Sequence, residues 1–408
     1  MAIHVMDEAN RCLGCKNPQC QKGCPIQTPI PQVIRLLKEG KLDEAGWMLF
    51  ENNPLTTVCS LICNHENQCE GHCVLGKKGA PVHFSVIENY ISSTYASKMV
   101  KGPAPSNGTK VAIIGSGPAG ITIAILMARY GYQVTMFESK DQIGGILRYG
   151  IPEFRLPKTV IDDIQYRHLE LKGIKIRPNT KIGAALTLDD LFNDGYKAVF
   201  IGTGVWKPNR LHIKGESFGH VHYAINYLNN PDSYRLGDRV IVIGAGNAAM
   251  DVARTAIRKG SRHVTCFSLT KKVNASHHEF SYAQLEGMDF VCNKKPIEIT
   301  DEGVIFRDLL EGEDGSLTEI PGSDHLIEAD SVMISISQGP QNTLNTPENG
   351  LKSTPRGLLE ADENGRTSRP GVFASGDVVD GARTVVEAVA YSKRVAEAMH
   401  EYIRNLSE

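Results

Sequence analysis

Charge of one sign is almost missing from this chain: 44 Lys and Arg stand against 46 Asp and Glu, a formal net charge of -2 over 408 residues. With no run of like charge, there is no electrostatic reason to expect nucleic acid or an anionic membrane as a partner. Long apolar runs are missing too. The best candidate, Val111 to Met127, is broken by Ser116-Gly-Pro-Ala-Gly120, short of the roughly 20 residues that cross a bilayer. The N-terminus, Met1-Ala-Ile-His-Val-Met-Asp7, has neither the basic region nor the apolar core of a secretory signal, which points to the cytoplasm. Cysteine nearly disappears after residue 73. Only Cys266 and Cys292 lie beyond it, they do not form a C-x-x-C pair, and both read as buried small hydrophobes rather than a dithiol relay.

What is present is concentrated. Eight of the ten cysteines fall in the first 73 residues, as Cys12, Cys15, Cys20 and Cys24 and then Cys59, Cys63, Cys69 and Cys73. The first group reads C-x2-C-x4-C-x3-C-P, close to the ferredoxin run that wraps an iron-sulfur cube, and the second reads C-x3-C-x5-C-x3-C. Disulfides would need an oxidising compartment, and structural zinc usually takes paired C-x2-C knuckles, a spacing only Cys12 and Cys15 have. Eight thiols suffice for two four-iron clusters.

A chain of this length holds two or three domains. Helical apolar spacing runs over Pro31 to Glu39 and Leu42 to Phe50, with Pro29 and Pro31 suited to a helix start. Lys101-Gly-Pro-Ala-Pro-Ser-Asn-Gly-Thr109 reads as a linker, and from Lys110 the texture becomes strand, glycine turn and long helix, which is α/β patterning. The expected division is a helical iron-sulfur domain over 1–97, a linker over 98–109, and two Rossmann-like dinucleotide-binding domains. The first takes 110–229 and 346–408, and the second takes 230–345.

Lys110-Val-Ala-Ile-Ile-Gly115-Ser-Gly117-Pro118-Ala119-Gly120 is a buried strand running into G-x-G-x-x-G and a helix through Arg129. Its glycines suit a tight turn, close approach to a pyrophosphate and close helix packing, with the helix N-terminus facing the phosphates. A second strand, Gln133 to Glu138, ends in an acid placed to accept a ribose hydroxyl. Arg239-Val-Ile-Val-Ile-Gly244-Ala-Gly246-Asn247-Ala248-Ala249 repeats the pattern with Ala249 in the third small position, but its next strand ends in Ser268, without an acid. The pair His277-His278-Glu279 makes a poor chelate, because adjacent helical residues point about 100° apart, and reads as a solvated face.

Two such folds resemble the flavoproteins with two dinucleotide-binding domains. The stretch Gly371-Val-Phe-Ala-Ser-Gly376-Asp377 before a helix containing Thr384, Val385 and Ala388 resembles the segment that closes over the flavin in that class. More specifically, Gly144-Gly145 followed by Ile146-Leu-Arg148-Tyr-Gly-Ile-Pro152-Glu-Phe-Arg155-Leu-Pro-Lys158, with Glu51-Asn-Asn-Pro-Leu-Thr-Thr-Val-Cys59 upstream, resembles glutamate synthase small subunits and the N-terminal half of dihydropyrimidine dehydrogenase. Within that family the chain looks most like the NAD-dependent small subunit of bacterial dihydropyrimidine dehydrogenase, with the glutamate synthase small chain as its rival.

The resemblance implies FAD, two [4Fe-4S] clusters and NADH or NADPH as cofactors, with Gly145, Arg148, Gly376, Asp377 and Thr384 joining the first fingerprint around the flavin. It also implies interleaved ligands: one cluster on Cys12, Cys15, Cys20 and Cys73, the other on Cys24, Cys63 and Cys69, with Glu88 as its last ligand and Cys59 as the alternative. The coenzyme expected is NADH, because Phe267-Ser268-Leu-Thr-Lys271-Lys272 lacks the arginine fork that clamps a 2'-phosphate. No protein acid or base is required for such an electron relay, and none is assigned as catalytic. The expected acceptor is on another polypeptide: an FMN-containing pyrimidine reductase, a glutamate synthase large subunit, or ferredoxin.

Overall fold

The computed structural model describes residues 4–96, 103–341, 343–344 and 349–406. The expected boundaries at residues 97–98 and 345–346, and the first part of the linker, lie outside the described residues. The chain divides into two compact units, one from Met1–Arg148, Glu153–Val205 and Gly339–Glu408, the other from Tyr149–Pro152 and Trp206–Gln338.

The first unit begins with helices. Ile30–Lys38 starts one residue ahead of the expected position, with Pro31 inside its first turn, where a missing N–H costs nothing. It packs with Leu42–Asn52 and Phe84–Ala96 around a core containing Val33, Ile34, Leu49, Ile87 and Ile91, and Thr56–Ile62 packs on Phe84–Ala96. Cys69 lies in this core, while Cys12, Cys20, Cys24 and Cys73 are partly buried against it. The cysteine loops therefore have one helical core in common.

The same unit contains a parallel sheet in the order Val372–Ala374, Tyr196–Ile201, Lys110–Ile114, Gln133–Phe137 and Lys175–Arg177. The apolar run Val111 to Ile114 is buried, as suits a strand covered on both faces. Chain order reverses beside Lys110–Ile114, which makes the carboxyl end of that strand the topological switch point where such sheets bind ligands.

The second unit repeats this plan with Val221–Tyr223, Ser331–Ile334, Arg239–Ile243, His263–Phe267 and Met288–Val291, all parallel. An antiparallel sheet formed by Lys294–Thr300, Gly303–Glu311, Leu317–Glu319 and His325–Glu328 completes it. Residues 206–229 belong here rather than to the flavin-binding segment expected through 229, because Val221–Tyr223 extends this sheet by pairing with Ser331–Ile334. The unit ends at Gln338, ahead of the expected 345. Among the described residues, no helix is long and apolar enough to cross a membrane.

Candidate functional site

Five cysteines from the two sequence groups meet. Cys12, Cys15, Cys20, Cys69 and Cys73 line one cavity with Ile34 and Phe84 among its walls. The three early cysteines are on the loop after Val5–Asn10 and on the short helix Gln19–Gly23, and Cys73 arrives from the later group. Burial pushes the Cys20 thiol up to about 11, and its neighbours Cys73, Cys12 and Cys15 push in the same direction. Thiolates crowded in an apolar wall are unfavourable unless a cation neutralises them, so this donor set fits a cationic iron centre.

The second group is more deeply buried. Cys59 and Cys63 are on successive turns at the end of Thr56–Ile62, and a hydrogen bond from Cys59 together with burial raises the Cys63 thiol well above its ordinary value. Burial, Glu88, Glu70 and Cys24 raise Cys69 in the same way. Glu88 is 5% exposed, not on the surface, and its carboxylate accepts a hydrogen bond from the Thr56 hydroxyl at 2.7 Å. Burial pushes the Glu88 carboxyl up to about 7. Glu88 is an electrostatic neighbour of both Cys63 and Cys69.

Among the described residues no group of His, Cys, Asp or Glu converges tightly enough to hold a single metal ion. A four-iron cube takes each ligand at a different corner, as thiols spread around one cavity allow. The residues fit such a group better than a lone zinc, and none of the ten cysteines is disulfide-bonded.

At the first glycine turn, a Cβ on Gly120 would lie 2.0 Å from the Gly115 carbonyl oxygen, so the helix Pro118–Arg129 can approach only as glycine. Gly117 has open space where a Cβ would project, leaving its backbone accessible to a pyrophosphate. Gly145, at φ 52, would bring a Cβ within 2.8 Å of the Gly117 Cα, so the 144–145 loop lies against the turn. Glu138 directs one carboxylate oxygen at the Ser116 N–H, 3.0 Å away, and at the Ser116 hydroxyl; the other accepts from the Lys140 N–H at 2.7 Å and the Ser139 hydroxyl at 3.1 Å. The turn and the second strand's acid are thus tied together.

Two other residues expected at the flavin also bond to neighbouring protein groups. The Arg148 Nε donates to the Ile143 carbonyl at 2.8 Å and its guanidinium pairs with Asp162, bracing the loop onto the helix Lys158–Asp163. Thr384 is not within the C-terminal helix but caps it: its hydroxyl and the Glu387 carboxylate form a reciprocal capping box at the start of Val385–Asn405. Gly376 lies beside Ala119, and Asp377 follows it with its carboxyl pushed up to about 6 by burial.

In the second unit, Gly244 is at φ 139, Gly246 again faces open space, and Ala249 is fully buried. Ala248 follows Asn247 at the start of the helix Asn247–Arg258, and Asn247 Oδ1 accepts from the Ser276 N–H at 2.9 Å, fastening the 274–276 segment to the turn. Glu311, 40 residues beyond Lys271, accepts from the Lys271 N–H at 2.9 Å. No spacing rule points to this acid, because it arrives on an antiparallel strand. His277 and His278 are exposed as expected, whereas Glu279 pairs with Arg254 at 2.7 Å. Cys266 is buried, and Cys292 only partly so.

Comparisons with known proteins agree with this geometry. Residues 109–392 match the pyridine nucleotide-disulphide oxidoreductase family, and residues 2–100 match the 4Fe-4S cluster domain II of dihydropyrimidine dehydrogenase. The chain is 33% identical to the glutamate synthase [NADPH] small chain of Escherichia coli K12, over 97% of this chain and 91% of that one. It is 31% identical to the NAD-dependent dihydropyrimidine dehydrogenase subunit PreT of the same strain, over 98% and 95%. In fold it resembles Mycobacterium tuberculosis FprA in complex with NADPH, with TM-score 0.63 and 18% identity over 74% of this chain and 86% of that one. It also resembles T. acidophilum thioredoxin reductase, with TM-score 0.57 and 24% identity over 72% and 98%. The chain belongs to the pyridine nucleotide-disulphide oxidoreductase family, as an NAD(P)H-dependent flavoprotein oxidoreductase of the FAD type that carries a 4Fe-4S domain ahead of its nucleotide-binding folds.

Proposed function

We propose that this chain is the electron-input component of a two-part oxidoreductase, taking reducing equivalents from NADH and delivering them through two [4Fe-4S] clusters to a pyrimidine-reducing partner subunit. The observation that carries the reading is the assembly of Cys12, Cys15, Cys20 and Cys73, with Cys69 beside them, around one cavity in the same compact unit as the first glycine turn. Bound FAD supplies the junction between hydride chemistry and single-electron transfer. Gly115, Gly117, Pro118, Ala119 and Gly120 would hold its pyrophosphate against the helix N-terminus, with Glu138 at the ribose and Gly145, Gly376 and Asp377 closing around it. Gly244, Gly246, Asn247, Ala248 and Ala249 would do the same for the nicotinamide coenzyme.

Cys24, Cys63 and Cys69 would hold the second cluster with Glu88, which is favoured over Cys59 because it neighbours both Cys63 and Cys69. The preference for NADH is supported by the Glu311 carboxylate against Lys271, which would repel a 2'-phosphate beyond Ser268. That preference favours the pyrimidine partner, since the PreT relatives are named NAD-dependent and the glutamate synthase small chains NADPH-dependent. The second reading, a glutamate synthase small subunit, is favoured by the 33% identity to that chain. Ten unpaired cysteines support a reducing compartment, the cytoplasm.

Anaerobic purification with iron and flavin counting, then titration with NADH and NADPH, tests the reading. About eight irons per chain and flavin bleaching by NADH are expected. Uracil reduction on adding an FMN-containing pyrimidine reductase would support the partner, and glutamate formation with a glutamate synthase large chain would replace it.

A further inference from the structure

The segment after Cys24 folds back on it. The Gln27 N–H donates to the Cys24 carbonyl at 2.8 Å, with Gln27 at φ 53, and this tight turn brings the buried Thr28 hydroxyl to 3.4 Å from Cys24 Sγ. Asn52, the last residue of Leu42–Asn52, places its Nδ2 3.2 Å from the same hydroxyl. Beyond it Lys393, in the C-terminal helix Val385–Asn405, donates to the Asn52 carbonyl at 2.8 Å and lies 3.5 Å from Asn52 Oδ1.

The direction of this chain is fixed by chemistry. An ammonium can only donate and an amide nitrogen can only donate, so Asn52 turns Oδ1 to the lysine and Nδ2 to Thr28. With its oxygen already accepting, Thr28 has its own proton free for the sulfur. Every donor therefore points toward Cys24, and a cation stands at the far end. Burial pulls the Lys393 ammonium down from its ordinary value, while Glu397 and Glu51 oppose that and Arg129 adds to it.

We propose that Lys393, Asn52 and Thr28 form a polarised donor relay that raises the reduction potential of the cluster ligated by Cys24, linking the C-terminal helix of the flavin-binding fold to that cluster. This rests on the ligation by Cys24 proposed above. Hydrogen bonds to cluster sulfurs and nearby positive charge both stabilise the form that has gained an electron, which is the more negative one. Thr28, Asn52 and Lys393 are positioning residues in this scheme, acting on the cluster through the sulfur.

The test is an EPR-monitored redox titration of the anaerobically purified full chain. Thr28→Val should lower one of the two cluster midpoints. The ratio of reduced to oxidised cluster at the wild-type midpoint should fall about tenfold, which is about 59 mV for one electron. Thr28→Ser, which keeps the hydroxyl, should restore it. Lys393→Met should lower the same midpoint by about a threefold change in that ratio, and the effect should vanish in the Thr28→Val background.

Unchanged midpoints in Thr28→Val would overturn the proposal. So would a Lys393→Met variant that loses thermal stability and leaves the potential alone, since the lysine would then only cap a helix end. Iron counting on Cys24→Ser separates the two levels. If both clusters survive with unchanged spectra, the ligation fails and the relay with it; if one is lost or altered while Thr28→Val leaves its midpoint in place, the relay alone fails. Should Cys24→Ser not fold, the paired shift in Thr28→Val and Lys393→Met still decides.

Discussion

The two glycine turns follow one design and are finished differently. In the first, the third small position is Gly120, where a Cβ would collide with the Gly115 carbonyl at 2.0 Å; in the second, Ala249 fills that position fully buried. The first receives its acid from the neighbouring strand, as Glu138 bound to Ser116. In the second, a carboxylate arrives from a distant antiparallel strand, as Glu311 against Lys271. The same backbone motif can therefore be locked by local sequence or by tertiary contact, and only the first kind of lock is visible as spacing.

Substitution at the third small position should separate the turns most sharply. Gly120→Val is expected to abolish flavin retention, read as loss of visible absorbance in purified protein, while Ala249→Gly should leave coenzyme affinity within about threefold, for a helix cost of at most about 1 kcal/mol. A flavin-replete Gly120→Val protein would remove the distinction between tight and loose turns.

Next in size is the pH response of Asp377 in the first unit. Burial raises its folded-state carboxyl from the ordinary 3.8 to about 6, so the folded chain holds this proton more firmly than the unfolded one. The resulting stability is complete below about pH 4 and is lost as pH rises through 6. Flavin-free wild type should therefore lose about 2 kcal/mol relative to Asp377→Asn between pH 4 and 7, measured by urea unfolding. A difference independent of pH would show that the carboxyl is not desolvated.

Glu138→Ala should come third. It strands the buried Ser116 N–H at about 1–3 kcal/mol, and flavin affinity is expected to weaken at least tenfold by titration of the apoprotein. Smallest is Glu311→Lys, which should raise the NADPH to NADH ratio of kcat/KM by about fivefold. No change in that ratio would mean that the second turn is indifferent to the distant carboxylate.

Legibility in the sequence followed distance along the chain. Both fingerprints were readable because strand, turn and helix lie within about 30 residues and each glycine has a local geometric reason. The meeting of Cys73 with Cys12, Cys15 and Cys20 was not contained in the spacing, which suggests two separate runs; only the family resemblance implied the interleaving, and the shared helical core brings the groups together. The sequence also held no sign that Asp162 would engage Arg148 or that Glu387 would close a capping box with Thr384. Residues 206–229 carry no local mark of the sheet they join, because an edge strand of three residues has too little pattern to reveal its partner.

By itself the sequence determined the chemistry that is available: thiols enough for iron-sulfur clusters, two strand-turn-helix motifs with room for a dinucleotide, and no charge or apolar run directed at nucleic acid or lipid. Tertiary structure decided which of those groups act on one another. Side chains separated along the chain become neighbours only when the core closes, which is how Glu88 reaches Cys63 and Cys69, Glu311 reaches Lys271, and Lys393 reaches Asn52. Burial then sets the charge each group can bear, since a carboxyl or thiol removed from water is governed by the few atoms that replace that water.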